Sequence, residues 1–356
     1  MSRLLPPDDP GWDPPDEDDG PRRPLTPEPP EGPPGGRIFT LEGRPVPSLY
    51  LIAWLLTVGG IGTILFLLLA QPAPSPGVAL VTLGAGVAAA IGLAAGAGYQ
   101  LVARADRHPD RYRGPSPLLL FGVVFVLSQL ISAPLVVLGL ADIDRPVGFL
   151  LTLAVVAATY LLVIWVFVVR AGALSWAEMG WPTRGTSLRR LLRDIGAAML
   201  VMVPVTFGVL LWGALIASVL QVTAPDTLPT AGTSGEALLL ILAAAIVAPI
   251  GEEAFFRGFA LTAWWRDLGQ RSALIRSATF FAVVHILNIE VEPDRFWVGA
   301  AQALLSFLVI LPLGLVLGWL FQQRGMVAAI TGHITYNGTL LVLVAIAAAN
   351  GVTPSG

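Results

Sequence analysis

The sequence predicts an all-α fold: a polytopic transmembrane helical bundle of about eight or nine transmembrane helices behind a disordered N-terminal tail. Three observations predict it. Of the 356 residues 55% are hydrophobic and only 13% are charged, against about 25% charged in an ordinary soluble domain. Mean hydropathy is +0.74, and the apolar residues gather into runs of about 20, the helix length that crosses a hydrocarbon core of about 30 Å. The arginines alternate between rich and poor loops, as in chains oriented by the positive-inside rule.

Residues 1–47 come first and read as a disordered, acidic, Pro-rich cytoplasmic tail. The stretch "DDPGWDPPDEDDGPRRPLTPEPPEGPPGG" holds too few apolar residues to form a core. It does not read as a signal peptide, because the apolar run begins near residue 48 and no small-residue cleavage site follows. Nine apolar segments follow, at 48–70, 77–103, 117–140, 147–169, 194–220, 236–265, 273–289, 296–321 and 326–349. The segment 273–289 is the shortest of them. The first four, 48–169, form an N-terminal set of transmembrane helices, 170–350 a second region, and 351–356 a C-terminal tail. GxxxG spacings at Gly92/Gly96 and Gly314/Gly318 mark places of close helix packing. The stretch "GALSWAEMGWPTRG" reads as an interfacial connector.

Orientation follows from the basic residues, all of them arginine. Arg104, Arg107, Arg111 and Arg113 share one loop, Arg170, Arg184, Arg189, Arg190 and Arg193 another; Arg266, Arg271 and Arg276 lie in a third and Arg324 in a fourth. The intervening loops hold only Arg145 and Arg295. The alternation fits nine crossings with the N-terminus in the cytoplasm of a cell-membrane protein. Trp264, Trp265, Trp297 and Trp319 stand beside arginines, as interfacial tryptophans do. With no cysteine, disulfides, thiolate metal sites and cysteine nucleophiles are excluded. A net charge of -3 points to no nucleic acid, and the apolar composition makes the lipid bilayer the expected partner.

Charge inside the apolar segments is confined to the C-terminal half. The first five hold no acid, base or histidine beyond their edges; the sixth holds Glu252, Glu253 and Arg257 in "APIGEEAFFRGFA", the seventh His285 and the ninth His333. A charge at mid-bilayer costs about 2.5–3.5 kcal/mol on insertion scales, so such groups face the bundle interior and mark a function. At 1.5 Å per residue Glu252 lies about 21 Å in from Arg266, and each histidine about 13 Å in from the preceding arginine. Three helices thus bring acid and imidazole groups to similar depth, and a single site is the economical reading.

Spacing says which groups face that site. Glu253 and Arg257 are four apart with the acid N-terminal, the better order for a helical ion pair, and Glu252 points about 100° away. Phe281 and His285 share one helix face, His333 and Asn337 another. One carboxylate, two imidazoles and one carboxamide remain. That set can deprotonate a water and donate to a developing oxyanion. Glu252, His285 and His333 equally suit Zn²⁺ as ligands.

EExxxR, FxxxH and HxxxN, in this order on successive membrane helices, resemble the three motifs of the CAAX prenyl protease and bacteriocin-processing family. These are intramembrane endopeptidases that include the type II CAAX prenyl endopeptidases. The resemblance covers about 170–350 and implies a protease core there, with a membrane-associated peptide or protein as substrate. It implies that Glu252 activates the water with His285, that His333 and Asn337 stabilise the oxyanion, and that Glu253, Arg257 and Phe281 support them. Two other readings compete: a non-catalytic membrane binding or immunity protein on the same scaffold, and a proton-coupled transporter relaying protons through buried Glu and His. No pair of broken helices in repeated halves supports the transporter.

The arginine alternation generates a topology prediction. Reporter fusions after Ala70, Leu140, Leu220 and Ile289 are expected outside, and those after Arg113, Arg193 and Arg276 inside. An inside signal after Leu220 overturns the orientation.

Overall fold

The computed structural model describes residues 40–223, 228–287, 289, 291 and 293–349. The expected N-terminal tail lies outside the described residues as far as residue 39, and the C-terminal tail 351–356 lies outside them altogether. The chain divides at Arg44 into two units. In the first, Arg44 Nε donates to the Thr40 carbonyl at 2.7 Å; the helices belong to the second. They are α1 (Pro47–Ala70), α2 (Pro76–Ala103), α3 (Pro117–Val137), α4 (Pro146–Val169), α5 (Leu188–Leu220), α6 (Ser234–Leu268), α7 (Gln270–Ile286), α8 (Phe296–Arg324) and α9 (Met326–Ala349). No strand occurs among the described residues.

The helix boundaries follow from local chemistry. α1 to α4 each begin on proline, whose fixed φ and missing N–H suit the first helical turn. Ser75 and Ser187 cap α2 and α5 with their hydroxyls, and Thr233 with Glu236 forms a reciprocal capping box on α6. Gly269 and Gly325 stand alone between consecutive helices at φ of 80° and 84°. A residue with a Cβ is strained in that region, so glycine permits the abrupt reversals there.

Eight of these helices are long and apolar enough to cross a membrane, and the chain is a multi-pass membrane protein. Its exterior agrees: Leu69, Leu200 and Leu211 are 86%, 78% and 74% exposed, tolerable where lipid and not water is the solvent. The exception is α7. At 17 residues it is about 25 Å long, short of a hydrocarbon core of about 30 Å. It runs antiparallel to α8, since Gln322 Nε2 donates to the Gln270 carbonyl at 3.0 Å and Gly314 packs on Ala278. The seventh apolar segment is therefore a short helix laid along a long one.

The arginine-rich connectors meet at one end of the bundle. Arg107 pairs with Asp267 at 3.5 Å, Arg111 donates to the Asp267 carbonyl at 2.6 Å, and the Tyr112 amide donates to the Asp267 carboxylate at 3.1 Å. Arg266 meets Glu178, the Met326 amide donates to the Gly180 carbonyl, and Arg324 meets Asp194 at 3.0 Å. Hydrogen bonds from the Ser175 hydroxyl and amide hold the Glu178 carboxyl below the usual carboxylate range, with Arg266 adding to them and burial opposing. Exposed pairs of this kind contribute about 0–1 kcal/mol each. Their value is in placement: they gather the four basic connectors on one face.

The core lies around α6. Phe255, Phe256 and Phe259 are fully buried there and pack with Tyr160 and Ile164 of α4 and Phe281 of α7. α6 reaches α4 so closely at Gly251 that a Cβ would sit 2.7 Å from the Ala157 Cα. Gly62 on α1 faces open space. Gly251→Leu is therefore expected to lower melting temperature and folded yield in detergent, since overpacking costs typically about 1–3 kcal/mol. Gly62→Leu is expected to behave as wild type. Thermal unfolding of both variants checks this, and equal losses refute it.

Candidate active site

Two breaks in helical geometry shape α6. Ile241–Val247 and Ala254–Leu261 are π turns on either side of the α-helical Ala248–Glu253. Their i→i+5 bonding packs more residues into each turn, so the chain advances less per residue. This shortens the path from Glu252 to Arg266 below the roughly 21 Å of a regular helix and brings Glu252 toward the depth of the histidines. Neighbouring helices hydrogen-bond to the backbone of both turns. Asn337 Nδ2 on α9 donates to the Ala244 carbonyl at 2.7 Å, and Ser277 Oγ on α7 donates to the Phe256 carbonyl at 2.8 Å.

The charged groups form one connected set. Arg257 Nη1 lies 3.0 Å from Glu253 Oε1, and neither side chain is exposed at all. The contact is ionic without hydrogen-bond alignment. Arg257 also lays its guanidinium over the Phe281 ring, 4.0 Å from the centroid, a cation–π contact worth about 2 kcal/mol when desolvated. The same Glu253 oxygen accepts from His333 Nδ1 at 2.9 Å. Across the imidazole, His333 Nε2 lies 3.8 Å from Glu252 Oε2. Glu252 is 23% exposed where Glu253, Arg257 and His333 are at most 3% exposed. It is the acid of the set that a molecule from outside can reach.

Phe281 links the two imidazoles. Its ring centroid is 4.4 Å from that of His285 and 5.9 Å from that of His333. His285 Nδ1 is 2.8 Å from the Phe281 carbonyl. A carbonyl only accepts, so Nδ1 carries the proton and Nε2 of a neutral ring presents a lone pair. Glu252 is close enough to His285 and to Tyr160 of α4 to act on both electrostatically.

Six of the seven residues expected at the site are linked by contacts. Glu252, Glu253, Arg257, Phe281, His285 and His333 stand in the contacts above, and the spacing argument for Glu253 with Arg257 holds. Asn337 lies one turn beyond His333 with one amide hydrogen engaged by Ala244. Glu253 does more than neutralise Arg257, since it also holds His333, a contact between residues 80 apart that no spacing encodes. Ser277 and Tyr160 were missed. Both are uncharged polar residues in apolar segments, and only a search of neutral hydroxyls would have singled them out. The candidate Zn²⁺ ligands Glu252, His285 and His333 are not arranged as a ligand set: among the described residues no group of three or more His, Cys, Asp or Glu is placed to hold a metal ion.

Residues 234–339 match the family described as type II CAAX prenyl endopeptidase Rce1-like, a family of proteases. The matched segment begins with α6 and ends in α9, and so contains all seven residues. No curated protein and no solved structure matches the chain.

The contacts separate the two adjacent glutamates in a test of stability. Glu253→Gln and Arg257→Gln each leave an uncompensated charge in a dry interior, which costs about 3–5 kcal/mol. Both are expected to lower melting temperature sharply in detergent. Glu252→Gln, at the partly exposed acid, is expected to melt near wild type. Thermal unfolding of the three purified variants decides, and a strongly destabilised Glu252→Gln contradicts the assignment.

Proposed function

We propose that this chain, a member of the CAAX prenyl protease and bacteriocin-processing family through its residues 234–339, is an intramembrane endopeptidase. It hydrolyses a peptide bond of a membrane-associated or lipid-modified protein or peptide with a water activated by Glu252 and His285. The observation that carries the reading is the convergence of a reachable carboxylate and two imidazoles from three helices around Phe281.

The roles follow from donor and acceptor inventory. His285, protonated at Nδ1, accepts a hydrogen bond from water at Nε2 and orients it. Glu252 takes the water proton as its oxygen attacks the carbonyl carbon. The carbonyl oxygen becomes an oxyanion, to which His333 Nε2–H and the second amide hydrogen of Asn337 donate. The C–N bond then breaks, Glu252 passes its proton to the departing nitrogen, and a carboxylate and an amine result.

His333 donates at both nitrogens in this scheme, to Glu253 through Nδ1 and to the oxyanion through Nε2. A ring with both protons is cationic. With Glu252, Glu253 and Arg257 it makes a set of two negative and two positive charges, the neutral sum that a lipid-embedded cluster favours. Glu253 and Arg257 are positioning residues. The reading needs no metal ion, and activity is expected to survive chelation of purified protein. The positive-inside rule supports an N-terminus in the cytoplasm of a cell-membrane protein, with the site nearer the cytoplasmic face.

Glu252→Gln and His285→Ala are each expected to lower peptide cleavage by about 10²–10⁴-fold, with a double variant little worse than either single one. His333→Gln keeps an N–H near the Nε2 position and is expected to retain partial turnover. His333→Asn keeps only the donor toward Glu253 and is expected to lose about 10²–10³-fold. Cleavage of a membrane-anchored peptide, measured beside thermal unfolding, reads these out. Multiplicative losses in the double variant, or an active His333→Asn, defeat the proposal.

A further inference from the structure

The basic end of the bundle holds a second feature, apart from Glu252, Glu253, His285 and His333. A cavity of about 450 Å³ opens there, lined by Leu101, Ala105, Arg113, Ala171, Gly172 and Ala173. Its walls come from the end of α2, the connector before α3 and the turn after α4. The volume is that of a small-molecule pocket, several times that of a phosphate group. Five of its six lining residues are uncharged and apolar, and the sixth is a guanidinium.

That guanidinium stands out against its neighbours. Four arginines at this end of the bundle are half-buried: Arg104, Arg113, Arg266 and Arg324. Arg104 donates to the Gly114 carbonyl at 2.6 Å, Arg266 meets Glu178, and Arg324 meets Asp194 at 3.0 Å. Arg113 makes no hydrogen bond or ion pair with any described residue, and its Nε is buried without a partner. Taking a cation half out of water without a counter-charge is costly. The nearby acid that could serve, Asp267, is already held by Arg107, Arg111 and the Tyr112 amide. Burial first, and the like charge of Arg107 second, hold Arg104 below the usual guanidinium range, with Tyr112 and Asp267 opposing.

We propose that this cavity binds a phosphate-bearing anion, either a lipid headgroup at the membrane edge or free phosphate, with Arg113 as its counter-ion. The planar guanidinium matches phosphate oxygens geometrically. The apolar walls, at the ends of two membrane-spanning helices, suit the glycerol and the first methylenes of an acyl chain. The position is one where basic pockets between membrane helices meet anionic headgroups.

The test uses the full-length protein in a nonionic detergent. Phosphatidylglycerol, phosphatidylcholine and inorganic phosphate are titrated separately, with melting temperature and, by native mass spectrometry, retained lipid as readouts. Phosphatidylglycerol is expected to raise the melting temperature and stay bound where phosphatidylcholine does neither. If inorganic phosphate alone reproduces the rise, the ligand is free phosphate and not a lipid. Arg113→Gln is expected to weaken the apparent affinity about fivefold, the weight of one basic residue at an anionic surface. Because Arg113→Gln alone could disturb the connector, Ala105→Phe adds bulk at another lining residue and is expected to give the same loss with Arg113 intact. The proposal is overturned if both variants bind as wild type does. It is equally overturned if phosphatidylcholine stabilises as well as phosphatidylglycerol, or if neither phosphatidylglycerol nor phosphate has any effect on wild type.

Discussion

The pairing of Glu253 with Arg257 inside the bilayer is the interaction on which the rest of this structure depends. Two opposite charges 3.0 Å apart and fully buried cannot rely on water, so every neighbour must be compatible with them. The Phe281 ring takes the open face of the guanidinium. His333 takes the free angle at the shared carboxylate oxygen and is thereby fixed in orientation. One ion pair on α6 thus dictates what α7 and α9 present at that depth. Glu252, the next residue along, is left facing the other way and partly open.

The backbone of α6 is bent to this task. A regular helix through 241–261 would satisfy every carbonyl within itself and leave α7 and α9 with only apolar surface to grip. The two π turns instead meet α9 through Asn337 and α7 through Ser277. In lipid, where helices gain little from the hydrophobic effect, such bonds and close packing carry much of the association. Gly251 supplies the close packing on the third side, against Ala157 of α4. The same residues that unite the bundle therefore surround the reachable carboxylate, and site and scaffold are hard to alter separately.

Charge organises the two ends of the molecule differently from its middle. At the basic end the arginines are mostly exposed and paired in ones and twos with Asp194, Glu178 and Asp267. Water screens such pairs, and they contribute little apiece. In the middle a single pair is unscreened and strongly felt. Arg113 falls between these cases, half-buried without a partner beside a cavity.

What was legible in the sequence was legible for a physical reason. Lipid demands long apolar helices, so composition alone announced the all-α class, and the positions of the arginines announced which connectors share an end. Any ion placed in lipid is conspicuous, so Glu252, Glu253, Arg257, His285 and His333 could be read off as one group, and helical periodicity could pair Glu253 with Arg257. Periodicity fails beyond a single helix. It did not show how short α7 is, because the apolar run 273–289 continues past the point where the helix ends at Ile286. Nor did it reveal the π turns, which depend on side chains from α7 and α9. The bond from Glu253 to His333 joins residues 80 apart. Local rules determined which chemical groups lie within the apolar helices. Only the packing of separate helices decided which of them touch, because contact distance between distant segments is set by how their surfaces fit, and no local spacing carries that information.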